Sequence, residues 1–230
     1  RSDDIHALVA SFDFIEPIPL GIPRDQALTL FFDDGPLILD PAIAKESQSI
    51  QYIAQIFSGL VSFDADLSLV MELANDWQVS EDGTVYTFTL REDAMFHSGR
   101  AVTASDVKYS WERGAHPANY SPTVKVYLND IVGMQQIFDG QARQASGLEV
   151  MDQRTLRVTI NAPKAYFLSK LAHAVAFVVD EANVSLGPFW WTEPNGTGPF
   201  KLKFWDNATL LILEANQDYY GMPPQIPFVI

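Results

Sequence analysis

Cysteine is absent from all 230 residues, which removes disulfides, thiolate metal sites and cysteine nucleophiles from consideration. Cations are scarce. Lys and Arg number 15 against 29 Asp and Glu, a formal charge of −14, and nucleic acid or an anionic membrane surface would repel such a chain. There is no run of ~18 apolar residues of the kind a transmembrane helix needs. The opening residues, RSDDIHALVASFDF, have neither the basic start nor the sustained apolar core of a secretory leader, so compartment cannot be read from a targeting signal. Motifs of hydrolytic chemistry, GxSxG and HExxH, are missing. Gly196-Thr197-Gly198-Pro199-Phe200-Lys201 lacks the GxxxxGK[ST] spacing of a phosphate loop, and Pro199 with an alternating strand follows it instead of a helix. His6, His97, His116 and His173 are scattered without metal-ligand spacing, and His97 reads as a turn residue at the surface. No cofactor and no metal are expected.

What is present is the composition of a folded protein: 47% hydrophobic and 12% aromatic residues. A chain of this length can bury ~70–75% of its unfolded surface in a core. Residues 72–113 carry the densest local signals. Asp82-Gly83 supplies the positive φ of a two-residue hairpin loop. After it, Val85, Tyr86, Thr87, Phe88, Thr89 and Leu90 form a β-branched and aromatic run suited to a strand. His97-Ser98-Gly99-Arg100 is a second turn, and Thr103-Ala104-Ser105-Asp106 reads as a capping box opening a helix. Val107, Ser110 and Trp111 then face inward, with Lys108 and Glu112 an exposed i,i+4 pair. Downstream, residues 148–160 alternate as a hairpin, residues 172–179 read as an apolar strand, and residues 49–60 show helical apolar spacing that stops at Gly59.

Taken together, Leu73-Ala74 with Trp77, Ser80 to Gly83, Thr87 to Arg91, Phe96 to Gly99 and Thr103 to Ser110 resemble the signature of the family 5 extracellular solute-binding proteins. These are the peptide, dipeptide and nickel receptors of bacterial ABC importers. Leu39-Asp40-Pro41, Gly196 to Phe200 and Asn216 to Gly221 extend the likeness over residues 27–230. The resemblance implies an α/β fold: a periplasmic-binding-protein-like lobe with a mixed sheet, and a smaller α/β accessory domain inserted in it. It places lobe one at residues 1–59 and 169–230, with residues 1–27 a leader outside the family pattern, and the accessory domain at 60–168. Family members are longer, so the chain is expected to be an N-terminal part without the second lobe, and to bind no ligand usefully alone. Chain end Phe228-Val229-Ile230 reads as a strand.

The resemblance further implies a non-catalytic, extracytoplasmic receptor, periplasmic or on the cell surface. It would capture oligopeptides or dipeptides by closing two lobes, deliver them to ABC permease subunits, and act as a monomer at full length. By position, Ala44, Lys45, Glu46, Ser47 and Ser49 would line the ligand cleft. So would Thr123, which stands where oligopeptide receptors carry an aromatic, with Tyr127 as its substitute. Val175 lies on the segment returning to lobe one, where nickel-chelate receptors carry an arginine and this chain has none. Trp190 and Trp191 could offer aromatic platforms to a peptide or sugar. The alternatives are an oligosaccharide receptor of the same fold and, more distantly, a hydrolase using carboxylates such as Glu72 and Asp76.

Overall fold

The computed structural model describes residues 19–30, 35–206 and 209–230. In chain order, strand β1 (Ala27–Leu28) precedes helix α1 (Ser47–Ile56). The hairpin of β2 (Val61–Phe63) and β3 (Leu69–Met71) leads into β4 (Ala74–Val79) and β5 (Val85–Leu90). Helices α2 (Ala104–Ala115), α3 (Val124–Leu128) and α4 (Met134–Phe138) follow, then β6 (Leu148–Val150), β7 (Thr155–Thr159), α5 (Phe167–Leu171) and α6 (Glu181–Val184). The chain closes with β8 (Phe200–Trp205), β9 (Leu211–Ala215) and β10 (Phe228–Val229). The apolar stretch Leu28-Thr29-Leu30-Phe31-Phe32 reads as a strand in the sequence; the structure has only β1 at its start, and its last two positions fall outside the described residues. The expected leader lies mostly outside them as well.

Two four-stranded sheets dominate. One, ordered β4-β5-β7-β6, is antiparallel throughout. Its inner face follows the strand period of two, with Tyr86, Phe88 and Leu90 of β5 and Leu156 and Val158 of β7 buried. The other, ordered β1-β10-β9-β8, is mixed, with β1 parallel to β10 and the remaining pairs antiparallel. The larger core gathers Phe88, Trp111, Leu128, Met134, Phe167 and Val178 under the first sheet. A second core joins Leu39, Ile53, Phe57, Trp190, Leu211 and Leu213 between α1 and the mixed sheet. Helix α2 serves both: Val107 and Trp111 enter the larger core, while Tyr109 packs against the second.

Several local expectations are corrected by the packing. The Asp82-Gly83 turn forms with Gly83 at φ 70°, but the loop spans residues 81–84, since Ser80 N donates to Val85 O at 2.9 Å. Asp82 organises it by accepting from Ser80 Oγ at 2.6 Å and Thr84 Oγ1 at 2.8 Å. Lys108 and Glu112 do pair, at 3.2 Å, yet they are largely covered. The loop over them takes both: Lys108 Nζ donates to Leu148 O and Glu112 accepts from Ala145 N. Helix α1 ends at Ile56 rather than running on toward Gly59, because Gly198 N takes the Ile56 carbonyl at 2.8 Å and Phe57 turns extended.

Residues 172–179 form no strand. A 3-10 turn, Ala174–Ala176, is followed by extended chain whose polar groups are met singly by side chains and by one carbonyl. Trp111 Nε1 donates to Ala176 O at 2.8 Å, Val179 N donates to Ser110 Oγ at 2.9 Å, and Val178 N donates to Ser58 O at 2.9 Å. A run that is apolar apart from His173 fits such a segment as well as it fits a strand, because residues 174–179 are buried on every side. The capping box does form: the Asp106 carboxylate accepts from the Thr103 backbone N–H at 2.8 Å.

Candidate functional site

The cleft candidates fall into three groups. The first is the loop after Leu39-Asp40-Pro41. Asp40 is 1% exposed, and its backbone carbonyl accepts from Ile43 N and Ala44 N while its Oδ1 accepts from Ala42 N at 2.9 Å. A tight buried turn results, so the Ala44 side chain faces the second core. Lys45 and Ser47 stand exposed and Glu46 half-buried just beyond it. Ser47 begins α1. Ser49 is fully buried and its Oγ accepts from Leu37 N at 3.1 Å. Its hydroxyl therefore holds the approach to the loop instead of facing solvent, a correction to its expected place in the cleft wall.

The second group is made by α3 and the turn after α5. Thr123 opens α3, its carbonyl accepting from Val126 N and Tyr127 N. The Tyr127 ring lies flat on His173, with centroids 3.8 Å apart and planes 19° apart. His173 Nδ1 accepts from Val175 N at 3.2 Å, which leaves Nε2 to carry the proton. Burial lowers the His173 pKa below its ordinary value, so the ring is neutral near pH 7. The half-buried pair thus presents an aromatic face and a neutral N–H. The Val175 side chain is 2% exposed and belongs to the core, so the segment contributes through His173 instead. Sequence reasoning passed over His173 because a lone histidine without metal spacing carries no signal; its neighbour Tyr127 lies 46 positions away in the chain.

The third group is the tryptophan pair. Trp190 is only 5% exposed. It meets Phe57 edge-on at 6.1 Å, with the Arg113 guanidinium 5.3 Å from its ring centre. It is core, not a ligand platform. Trp191 is half-buried between Trp205 and Phe189.

Elsewhere, His97 is not the surface residue its turn suggested. Its Nε2 sits 3.1 Å from Gly198 O, and burial pushes its pKa down to about 4. It borders an open hollow of about 520 Å³ with Ser98, Asp180, Asn195 and Lys201. The polar groups there are largely engaged with one another. Asp180 accepts from Arg100 at 2.8 Å and from Asn195 Nδ2 at 2.6 Å, while Asn195 Oδ1 takes Ser98 N at 2.9 Å. The network bolts the turn before α2 to the start of α6, and little in it remains free for a ligand. Glu72 is half-buried, its pKa raised by burial against the pull of the Ser58, Ser62 and Tyr219 hydroxyls; Asp76 is exposed on β4. Among the described residues no group of three or more His, Asp or Glu could hold a metal ion.

Comparison with known proteins places this architecture. The chain superposes on the unliganded open form of the MppA periplasmic murein tripeptide-binding protein with a TM-score of 0.82 and 33% identity, over 90% of this chain and 41% of that one. On the peptide-bound OppA of Listeria monocytogenes the TM-score is 0.83 at 27% identity, over 90% and 42%. The fold is therefore that of the matching part of these peptide-binding proteins. Residues 68–230 match the middle region of the bacterial extracellular solute-binding proteins, family 5, and the chain belongs to that family. In sequence it is 32% identical to the periplasmic murein peptide-binding protein MppA of Escherichia coli K12, over 88% of this chain and 41% of the relative. It is 31% identical to the dipeptide-binding protein DppE of Bacillus subtilis, over 85% and 37%. The chain thus spans about two-fifths of the length of these relatives. Members of the family are solute receptors without catalysis, and the carboxylate-hydrolase alternative falls.

Proposed function

We propose that this chain supplies one ligand-facing lobe of an extracytoplasmic, periplasmic or cell-surface receptor that hands peptides to the permease subunits of an ABC importer. Residues 1–59 and 169–230 would form the lobe and residues 60–168 its accessory domain, with a second lobe closing over the ligand. Closure would favour the bound state, and the permease would read that state. The observation that carries this reading is the peptide ligand in the names of similar proteins, a murein peptide in one and a dipeptide in another. The candidate surface suits such a ligand. Lys45, Glu46 and Ser47 would offer polar groups, Thr123 and Trp191 would add to them, and the Tyr127–His173 pair would supply a flat face and a neutral donor for a backbone carbonyl.

The reading is tested on the full-length monomeric receptor by thermal shift against short peptides and, separately, oligosaccharides. Peptide at about a hundredfold excess over Kd should stabilise the protein by ~2.7 kcal/mol. Stabilisation by oligosaccharides with none by peptides would move the receptor to the sugar-binding branch.

A further inference from the structure

The loop that carries Lys45, Glu46 and Ser47 is held from an unexpected direction. Arg113, on the last turn of α2, reaches Asp40 with both arms of its guanidinium, Nη1 to Oδ1 at 3.0 Å and Nη2 to Oδ2. The pair spans 73 positions of sequence and is hidden, the side chains being 12% and 1% exposed. The Asp40 Oδ1 that Arg113 grips also accepts the Ala42 N–H, and the Asp40 carbonyl accepts the next two amides. One side chain therefore fixes the residue from which the whole 42–44 turn is hung. One further contact seats the turn on the same helix end, the Gly114 α-carbon facing the Ala42 side chain, and the Trp190 ring lies under the Arg113 guanidinium.

We infer that Arg113 is a positioning residue for ligand capture, setting from α2 where residues 42–47 stand in the cleft without touching the ligand. The inference rests on the proposed role of that loop. A lysine would keep the charge but not the planar fork that holds both carboxylate oxygens. The loop would then lose its anchor while the ion pair survived as a point contact.

Two variants test it: Arg113→Lys, and the neutral pair Asp40→Asn with Arg113→Gln, which removes the charge buried by a single change. Amide hydrogen exchange is followed at residues 42–47 and, as a reference, in β5 and β9. In Arg113→Lys, exchange at 42–47 should rise about tenfold with the reference strands unchanged, the mark of local opening. The neutral pair should exchange like Arg113→Lys while melting near the parent temperature. Unchanged exchange at 42–47 in both variants, or a uniform rise across all strands, overturns the inference. Peptide affinity of full-length protein is the separate arm and should weaken about tenfold with the loop. If the parent protein binds no peptide while the loop still loosens, the peptide reading fails and the positioning role stands. If peptide binds the parent and the loosened variants equally, the role in ligand capture is overturned.

Discussion

Both four-stranded sheets contain hairpins of consecutive strands, β4–β5 and β6–β7 in one and β8–β9 in the other, but they close over different distances of chain. The β4-β5-β7-β6 sheet draws all its strands from residues 74–159, and each of its pairs is antiparallel. The β1-β10-β9-β8 sheet instead pairs residue 27 with residue 228 in parallel, across nearly the whole chain. Hairpin pairing is local and its turns leave a signature, whereas parallel pairing of distant segments is specified by packing alone. The candidate ligand groups divide between the regions: the 42–47 loop adjoins the second core, while Tyr127, stacked on His173, packs against the core under the local sheet. The element joining both regions is α2, whose two ends are fixed by Arg100 to Asp180 and by Arg113 to Asp40.

The largest test of that comparison is Trp111→Ala. Trp111 is fully buried in the core under the local sheet, and its indole N–H meets Ala176 O. Removing it should cost ~3–5 kcal/mol in denaturant unfolding. If α2 couples the two regions, hydrogen exchange should accelerate in β9 as well as in β5. Acceleration confined to β5 would show that the regions open separately.

Next is Gly196→Ala, which strikes the 196–198 turn where it meets the end of α1. A methyl group there would overlap the Ile56 carbonyl at the end of α1. The turn and the helix terminus would have to part, at a cost of ~1–3 kcal/mol. Thermal melting measures it, and a melting temperature equal to the parent's would mean the 196–198 turn is not packed on α1 as described.

The same contrast decides what could be read in the sequence. Gly83, the Thr103–Asp106 box and the alternation through β5 and β7 were legible because each depends on neighbours within a few positions. Arg113 and Asp40 carry no local sign of their partnership, which crosses 73 positions. Lys108 and Glu112 were placed at the surface because helical spacing says nothing about a loop laid across that face. Trp190 and Val175 were offered to the ligand, yet both are spent in core packing, the commoner fate of large apolar groups. Of the candidate site, residues 45–47 and Tyr127 were named from the sequence through the family resemblance; His173 was not, because its place comes from a stack and a backbone bond rather than from a motif.

A smaller, pH-dependent effect comes from His97, which joins the turn before α2 to the 196–198 turn. Burial holds its folded pKa at about 4, against an ordinary value of 6.5. Between those values the unfolded chain takes up a proton that the folded chain refuses. The neutral ring's contribution is therefore complete above pH 6.5 and is lost as pH falls toward 4. The expected loss is about 2 kcal/mol. Denaturant midpoints at pH 7 and 4.5 should differ less in His97→Gln than in the parent, and equal differences would show the ring titrating freely.

The smallest effects compare like with like across the two sheets. Arg157 and Glu149 face one another on β7 and β6 at 3.0 Å. Lys203 and Glu214 bridge β8 and β9 at 2.9 Å. Both pairs are substantially exposed, so solvent screens them and each should contribute no more than about 0.5 kcal/mol. Double-mutant cycles to alanine at the two pairs should give couplings of similar size that both shrink in high salt. A Lys203–Glu214 coupling well above the other would mean that the mixed sheet draws measurable stability from its surface charges where the all-antiparallel sheet does not.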